Sequence, residues 1–186
     1  MSLDHPIFIQ SLSYIRERLH CPEMDSLEQQ VLERLIHSSG DFQLTKLLFF
    51  SKGACEIGIS AIKAGSLILT DTDMAASAVK PMARRTLQSE VRSLMEWAPE
   101  EAPLDSTRTA EGIKCAWNQL SNELGDRSAP IVLIGSAPKA LSMLLELVSK
   151  STTIKDCSPG GTKLSLLPDR SLINFFLESP TNIGNP

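Results

Sequence analysis

The first forty residues alternate between apolar and polar positions in a way that predicts two helices. The first is predicted over Ile7–Leu19, directly after His5 and Pro6. The second is amphipathic and is predicted from Ser26, with Ser26 as its capping residue, Gln29 at the capping-box position and Gly40 at its end. Near the end of this second helix, residues three or four positions apart are therefore expected to share a face.

The rest of the chain alternates between short apolar runs and longer helical stretches. Helices are predicted over Ser51–Ala64, from Ser106 or Thr107 to about Leu124, and over Ala137–Lys150; strands are predicted over Ser66–Asp71, Pro130–Gly135 and, more weakly, Ser89–Trp97. Such alternation indicates a parallel sheet with helices on both faces. We predict one α/β domain over residues 1–186, a three-layer, flavodoxin-like domain with a mostly parallel sheet. Ligands of such sheets bind beyond the carboxyl ends of the strands.

Composition and charge narrow the class of protein. The chain has 186 residues, 42% of them hydrophobic and 22% charged, with a net charge of −4. These values are ordinary for a globular protein, and the negative charge argues against a general nucleic-acid or membrane-surface binder. No apolar run is long enough to span a membrane, and no signal peptide is visible. We expect a cytoplasmic protein that does not partner nucleic acid or membrane.

The cysteines are too far apart to indicate a metal centre. Cys21, Cys55, Cys115 and Cys157 form no CxxC pair, so neither a zinc site nor a disulfide is expected. Cys55 and Cys115 lie inside predicted helices, which favours a role as small buried hydrophobic residues. We expect no metal and no separate cofactor.

His37 is the strongest candidate for chemistry. It follows Arg34 by three residues near the end of the second helix, so the two side chains share a face. An imidazole can give or accept a proton near neutral pH, and an arginine can hold a carboxylate. A lone histidine on a helix is more often structural, and periodicity alone favours that structural interpretation of His37.

Polar residues also follow the predicted strands. Asp71 and Asp73 flank the end of one strand, where capping of the next short helix is an equally good interpretation. Thr107 and Arg108 open a helix, and a cap followed by a solvated arginine is favoured over a carboxylate site. Ser136 lies in a strand-to-helix turn that lacks the spacing of a dinucleotide site, a P-loop or a nucleophile elbow, so an anion contact is the remaining functional interpretation.

Five segments together resemble precorrin-8X methylmutases, also called cobalt-precorrin-8 methylmutases. They are Ile9-Gln10-Ser11-Leu12, Arg34-Leu35-Ile36-His37, Ala64 to Met74, Thr107-Arg108-Thr109-Ala110 and Gly135 to Leu141. Each segment is short, but their order and spacing are specific. The resemblance implies a flavodoxin-like fold, a homodimer and a corrin (tetrapyrrole) substrate. It also implies an isomerase of cobalamin biosynthesis that moves a methyl group from C-11 to C-12 of the macrocycle without a cofactor.

The resemblance also implies roles for individual residues. His37 matches the catalytic histidine, and the substrate-binding set comprises Ser11, Arg34, Asp71, Thr107, Arg108 and Ser136. Three positions depart from the family pattern: Ser136 stands in place of asparagine, Lys139 in place of threonine, and Ala75 in place of the valine that follows Met74.

The chain diverges from the family over residues 151–186. No counterpart of the family's C-terminal motifs follows Lys150, and the segments Ser151-Thr152-Thr153 and Ser158 to Gly161 are loop-like. We expect this part to be less ordered than the core, with Leu172–Leu177 docking through its apolar side chains. The divergence keeps an alternative open, a relative that binds corrinoids without rearranging them. An unrelated flavodoxin-like signalling or assembly module is a third possibility.

Overall fold

The chain forms two compact units. A computed structural model describes residues 5–21, 23–123 and 129–155, and the predictions made for residues 156–186 lie outside this part. The first unit contains the described residues up to Glu56, and the second begins at Ile57. The single domain predicted over the whole chain stays a prediction. Across the described residues, the search for a helix of membrane-spanning length and apolarity finds none.

The first unit is helical. It contains α1 (Pro6–Arg16), α2 (Ser26–Ser39), α3 (Leu44–Leu47) and the start of α4 (Ala54–Lys63). The imidazole of His5 caps α1 by accepting from the Ile7 N–H. The cap of α2 is Asp25, with Glu28 completing the capping box, so the prediction of Ser26 and Gln29 was wrong by one residue. The aspartate carboxylate reaches the free amides because it lies just before the first helical turn.

Two contacts show that α1 and α2 run antiparallel. Ser11 meets His37, whereas Arg16, further along α1, meets Glu33, which lies earlier on α2. Between these contacts the two helices bury their apolar faces together with α3. The core of this unit comprises Ile15, Leu19, Leu32, Ile36, Leu44 and Leu48. Packing of amphipathic faces, rather than helix propensity alone, stabilises such short helices.

The second unit is built on a parallel sheet. Its strands are β1 (Ile68–Thr70), β2 (Val91–Ser93) and β3 (Ile131–Leu133), arranged in the order β2-β1-β3. Both pairings are parallel, with Ile68 opposite Val91 on one side and opposite Ile131 on the other. Helices α5 (Asp73–Met82), α6 (Arg108–Glu123) and α7 (Pro138–Lys155) complete the unit. The predicted mixed α/β class with a parallel sheet is confirmed.

Side chains alternate between the two faces of the sheet and give the unit three layers. Leu67 and Leu69 pack with α6 and α7, whose contributing residues include Ile113 and Leu144. Ile68 points to the opposite core, which contains Ala76 of α5. Because successive side chains of a strand point to opposite faces of the sheet, a continuous apolar run contributes residues to the cores on both faces. The strand order also agrees with the flavodoxin-like arrangement, which stays a prediction for the fold as a whole.

Two elements of the second unit differ from the predictions. The strand predicted over Ser89–Trp97 ends at Ser93, because Ser93 and Glu96 form a capping box that starts a 3-10 helix over Leu94–Trp97. Helix α7 continues to Lys155, through residues predicted to be loop-like. Helix α5 is capped by Thr72, whose hydroxyl accepts from the Ala75 N–H, and not by Asp71 or Asp73. Asp71 is therefore free for another role.

Candidate active site

In the first unit, three of the predicted site residues meet where α1 and α2 pack. The hydroxyl oxygen of Ser11 lies 2.7 Å from Nδ1 of His37, a hydrogen bond between residues on different helices. Both residues are near the surface rather than in the core, and His37 is exposed. The sequence predicted each residue, but only the antiparallel packing brings them together.

An aromatic side chain completes this group. The ring of Phe8 lies perpendicular to the His37 imidazole, with their centroids 4.8 Å apart. The Arg34 guanidinium lies over the same Phe8 ring, 5.0 Å from its centroid. We call Phe8, Ser11, Arg34 and His37 the His37 cluster. Sequence reasoning missed Phe8, although its position one helical turn before Ser11 places both on one face of α1.

The His37 cluster can manage a proton and bind an anion. The Ser11 hydroxyl can donate to or accept from Nδ1, so it holds the ring in place and leaves Nε2 for a ligand. In the described part of the chain, the Arg34 guanidinium makes no hydrogen bond or ion pair, so its donors remain for a carboxylate. The His37 cluster thus contains both a side chain that can carry a proton, His37, and a guanidinium that can bind a carboxylate, Arg34.

An ion pair between a buried carboxylate and an exposed arginine links the two helices that carry the His37 cluster. Glu33 is only 2% exposed, and its carboxylate accepts two hydrogen bonds from Arg16, at 2.9 and 2.8 Å. Gln29 donates a third hydrogen bond to Glu33 at 3.2 Å. The hydrogen bonds and the negative charge of Glu33 raise the pKa of Arg16. Because both helices contribute, the pair opposes any sliding of α1 along α2.

In the second unit, Asp71 fastens together the carboxyl ends of β1 and β3. Its side chain is 2% exposed, and one carboxylate oxygen accepts from the amides of Gly135 at 2.9 Å and Ser136 at 3.0 Å. This point lies at the carboxyl ends of two neighbouring parallel strands, the edge at which parallel α/β sheets bind ligands. The substrate contacts of Asp71 and Ser136 stay predictions.

Thr107 and Arg108 also bond to the backbone. The Thr107 hydroxyl caps α6 by accepting from the Ala110 N–H, and Arg108 Nε donates to the carbonyl of Pro99 at 2.8 Å. Lys139 donates to the carbonyl of Asp105 at 3.2 Å, which brings the start of α7 beside the loop before α6. The structure therefore gathers the predicted residues of this unit at one end of the sheet. Their contacts with a substrate stay predictions.

The cysteines and acidic residues form no centre for a metal in the described ranges. Within 5–21, 23–123 and 129–155, no group of three or more His, Cys, Asp or Glu residues is arranged to bind an ion. Cys115 is exposed, so the prediction that it is buried was wrong. Burial, followed by the charges of Asp25, Glu28 and Glu56, raises the pKa of the Cys55 thiol.

The fold and the site define the class of protein. It is an α/β protein with polar residues at the carboxyl end of a parallel sheet and a serine–histidine pair in a helical unit, and both groups are candidates for binding a ligand. Comparison with known proteins identifies the family. The family model for precorrin-8X methylmutase (CbiC) matches residues 6–156, most of the chain. The chain belongs to the precorrin-8X methylmutase family, and the resemblance predicted from the five segments is confirmed.

Individual relatives and a solved structure agree with this family. The chain is 26% identical to the cobalt-precorrin-8 methylmutase of Synechocystis over 161 residues, covering 79% of this chain and 70% of that protein. It is 28% identical to the precorrin-8X methylmutase of Sinorhizobium, covering 76% of this chain and 65% of that one. The precorrin-8X methyl mutase structure from Thermus thermophilus superimposes with a TM-score of 0.64 at 30% identity, over 78% of this chain and 70% of that one.

The family is one of isomerases in cobalamin biosynthesis that shift a methyl group from C-11 to C-12 of the macrocycle. The matched region contains Ser11, Arg34, His37, Asp71, Thr107, Arg108 and Ser136. The family assignment therefore covers every residue of the candidate site.

Proposed function

We propose that this chain binds a carboxylated corrin through the His37 cluster and promotes the methyl shift with His37 as proton donor to the macrocycle. Migration within one molecule needs neither a nucleophile nor a carrier. The enzyme must hold the ring and favour the rearranged electronic state, and a positioned acid contributes about 10²–10⁴-fold. Holding the ring in one geometry also contributes, because the reacting atoms must be aligned before the methyl group moves.

One observation carries this proposal: the 2.7 Å hydrogen bond between Ser11 and His37 beside an arginine with unused donors. Ser11 occupies one ring nitrogen of His37, so the other is the atom that exchanges a proton with the substrate. Arg34 supplies a bidentate partner for a substrate carboxylate. For the second unit, we propose substrate contacts from Asp71, Thr107, Arg108 and Ser136, with Arg108 as the second carboxylate-binding residue.

Absorbance titration with the rearranged corrin product tests binding, and turnover of precorrin-8X tests catalysis. His37→Ala is expected to bind product but to lose about 10²–10⁴-fold in turnover, the usual contribution of a positioned acid. His20→Ala is the matched control, because His20 is an exposed histidine of the same unit outside the His37 cluster. Its turnover should equal that of the unmodified protein.

The outcomes separate the possible roles. Undiminished turnover of His37→Ala would remove His37 from the mechanism. The relatives carry both the cobalt and the metal-free name, so the titration is run with both forms of the product. Tighter binding of one form identifies the substrate, whereas binding of neither would overturn the proposal.

A non-catalytic corrinoid-binding protein is the second candidate. The family match ends at residue 156, and the sequence departs from the family pattern after Lys150. If the missing motifs close the pocket, product would bind without any turnover of substrate. Single-turnover measurement with enzyme in excess distinguishes the two, because a slow isomerase still converts bound precorrin-8X.

We also propose that the chain works as a cytoplasmic homodimer, as the resemblance implies. Light scattering on the purified protein tests the assembly, and a mass of one chain at micromolar concentration would contradict it. Fractionation of cells producing the untagged protein tests the location.

A further inference from the structure

Phe8 touches both functional side chains of the neighbouring helix. Its ring lies 4.8 Å from the His37 imidazole, at an interplanar angle of 90°, and 5.0 Å from the Arg34 guanidinium carbon. Arg34 and His37 are three residues apart on α2, so a single ring on α1 reaches both.

The position of Phe8 is itself fixed. Its ring is half-buried near the start of α1, one turn before Ser11, which bonds to His37. The helix begins at Pro6 and is capped by His5, so Phe8 lies in its first turn. A side chain with only two rotatable bonds on a capped helix is a rigid support.

We infer that Phe8 is a positioning residue of the methylmutase reaction, holding the Arg34 guanidinium and the His37 imidazole at the spacing that the substrate requires. This inference rests on the proposed function of the His37 cluster. Without the ring, the Arg34 guanidinium has no hydrogen bond, ion pair or ring contact with another described residue. The His37 imidazole keeps its hydrogen bond to Ser11. Both side chains would then sample many conformations before a substrate binds.

The physical basis is the attraction of a cation to an aromatic face together with the edge-to-face packing of two rings. A cation–π contact at an exposed site changes a binding constant by about two- to fivefold. Imprecise placement of a catalytic group costs more, because a 1 Å displacement lowers rates by about a hundredfold in sensitive cases. Loss of the Phe8 ring should therefore weaken binding modestly and lower turnover more strongly.

The same helix provides a matched control. Tyr14 is an exposed residue of α1 with the Arg18 guanidinium 3.5 Å from its ring centroid. Arg18 also bonds to the Tyr14 carbonyl and lies 3.6 Å from Glu17, and none of these residues belongs to the His37 cluster. Tyr14→Leu thus removes an equivalent aromatic–arginine contact from the same helix without touching the candidate site.

The experiment compares Phe8→Leu, Phe8→Tyr and Tyr14→Leu in the full chain. Binding is measured by absorbance titration with the rearranged corrin product, and kcat and KM are measured with precorrin-8X. Phe8→Leu should weaken product binding about two- to fivefold and lower kcat by about ten- to a hundredfold. Phe8→Tyr, which keeps the ring, and Tyr14→Leu should both match the unmodified protein.

Double variants exclude a general structural effect. Phe8→Leu should weaken product binding in the unmodified protein but not in the Arg34→Ala background, because the ring then has no guanidinium to hold. Equal weakening in both backgrounds, or a loss in Phe8→Tyr as large as in Phe8→Leu, would overturn the inference. If His37→Ala keeps full turnover, the proposed function fails instead, and the two failures are thereby distinguished.

Discussion

The two units use their polar site residues in opposite ways. In the first unit, Ser11, His37 and Arg34 contact other side chains and keep unused hydrogen-bonding groups. In the second unit, Asp71 and Arg108 bond to backbone amides or a backbone carbonyl. A polar side chain that is hydrogen-bonded to the backbone holds the chain in place. One that is hydrogen-bonded to another side chain has a partner that can change its rotamer. This difference supports our proposal that the proton is handled in the first unit.

The same contrast holds for the two buried carboxylates. Glu33 and Asp71 are each 2% exposed, but Glu33 depends mainly on the Arg16 side chain and Asp71 on two amides of one turn. A single substitution can therefore remove the charge that compensates Glu33. Among single substitutions at Gly135 or Ser136, only proline would remove one of the two amides that compensate Asp71. Four predictions compare the two units, ordered by expected effect; the first and third test the two carboxylates directly.

Arg16→Ala should have the largest effect on stability. Removing the partner leaves the buried Glu33 carboxylate without its two charged hydrogen bonds, and because the Arg16 side chain is 55% exposed, water can reach the gap, so the free energy of unfolding should fall by about 1.5–3 kcal/mol. Arg18→Ala is the control, because Arg18 pairs with the exposed Glu17 and such surface pairs contribute about 0–1 kcal/mol. Urea unfolding measures both variants. Equal, small losses would show that water or Gln29 satisfies Glu33 without Arg16.

Gly112→Ala should destabilise the second unit by about 1–3 kcal/mol, as overpacked cores do. A Cβ on Gly112 would overlap the Leu94 carbonyl and lie 3.5 Å from the Ala98 Cβ, so α6 and the 3-10 helix would have to separate. Asn118→Ala on the exposed face of α6 is the control. Helix propensity alone favours alanine over glycine. A rise in melting temperature for Gly112→Ala would therefore show that the close approach is relaxed in solution.

Asp71→Asn should lower the free energy of unfolding by about 1–2 kcal/mol, because neutral acceptors form weaker hydrogen bonds than carboxylates. Asp73→Asn, at the exposed start of α5, is the control. Unfolding and product titration are measured on both variants. Unchanged stability with weakened product binding would instead assign Asp71 to the substrate, as predicted from the family resemblance.

The smallest effect is on cysteine reactivity. The raised pKa of Cys55 keeps its thiol protonated at neutral pH, and alkylation requires the thiolate. Cys115 is exposed, so iodoacetamide should modify it before Cys55. The difference should narrow as pH rises toward the raised pKa. Peptide mass spectrometry after short exposure measures the order, and faster labelling of Cys55 would contradict its burial.

Much of the fold follows from local pattern. Helices near Ile7, Ser26 and Ala137, and the strands around Ile68 and Val132, were predicted because hydrophobic periodicity and turn residues are local signals. Most errors in the elements fall at their ends. Ser93 and Asp25 begin capping boxes with Glu96 and Glu28, and these two local signatures mark the true boundaries.

The class of fold, the family and all candidate residues except Phe8 follow from the chain's composition, hydrophobic period and order of short motifs. Which of these residues meet depends on the packing of the helices and strands. Phe8, Ser11 and His37 come together because α1 and α2 pack antiparallel, and Asp71 reaches Gly135 because two distant strands are neighbours in the sheet. Contacts between residues far apart in sequence depend on packing that no local pattern encodes.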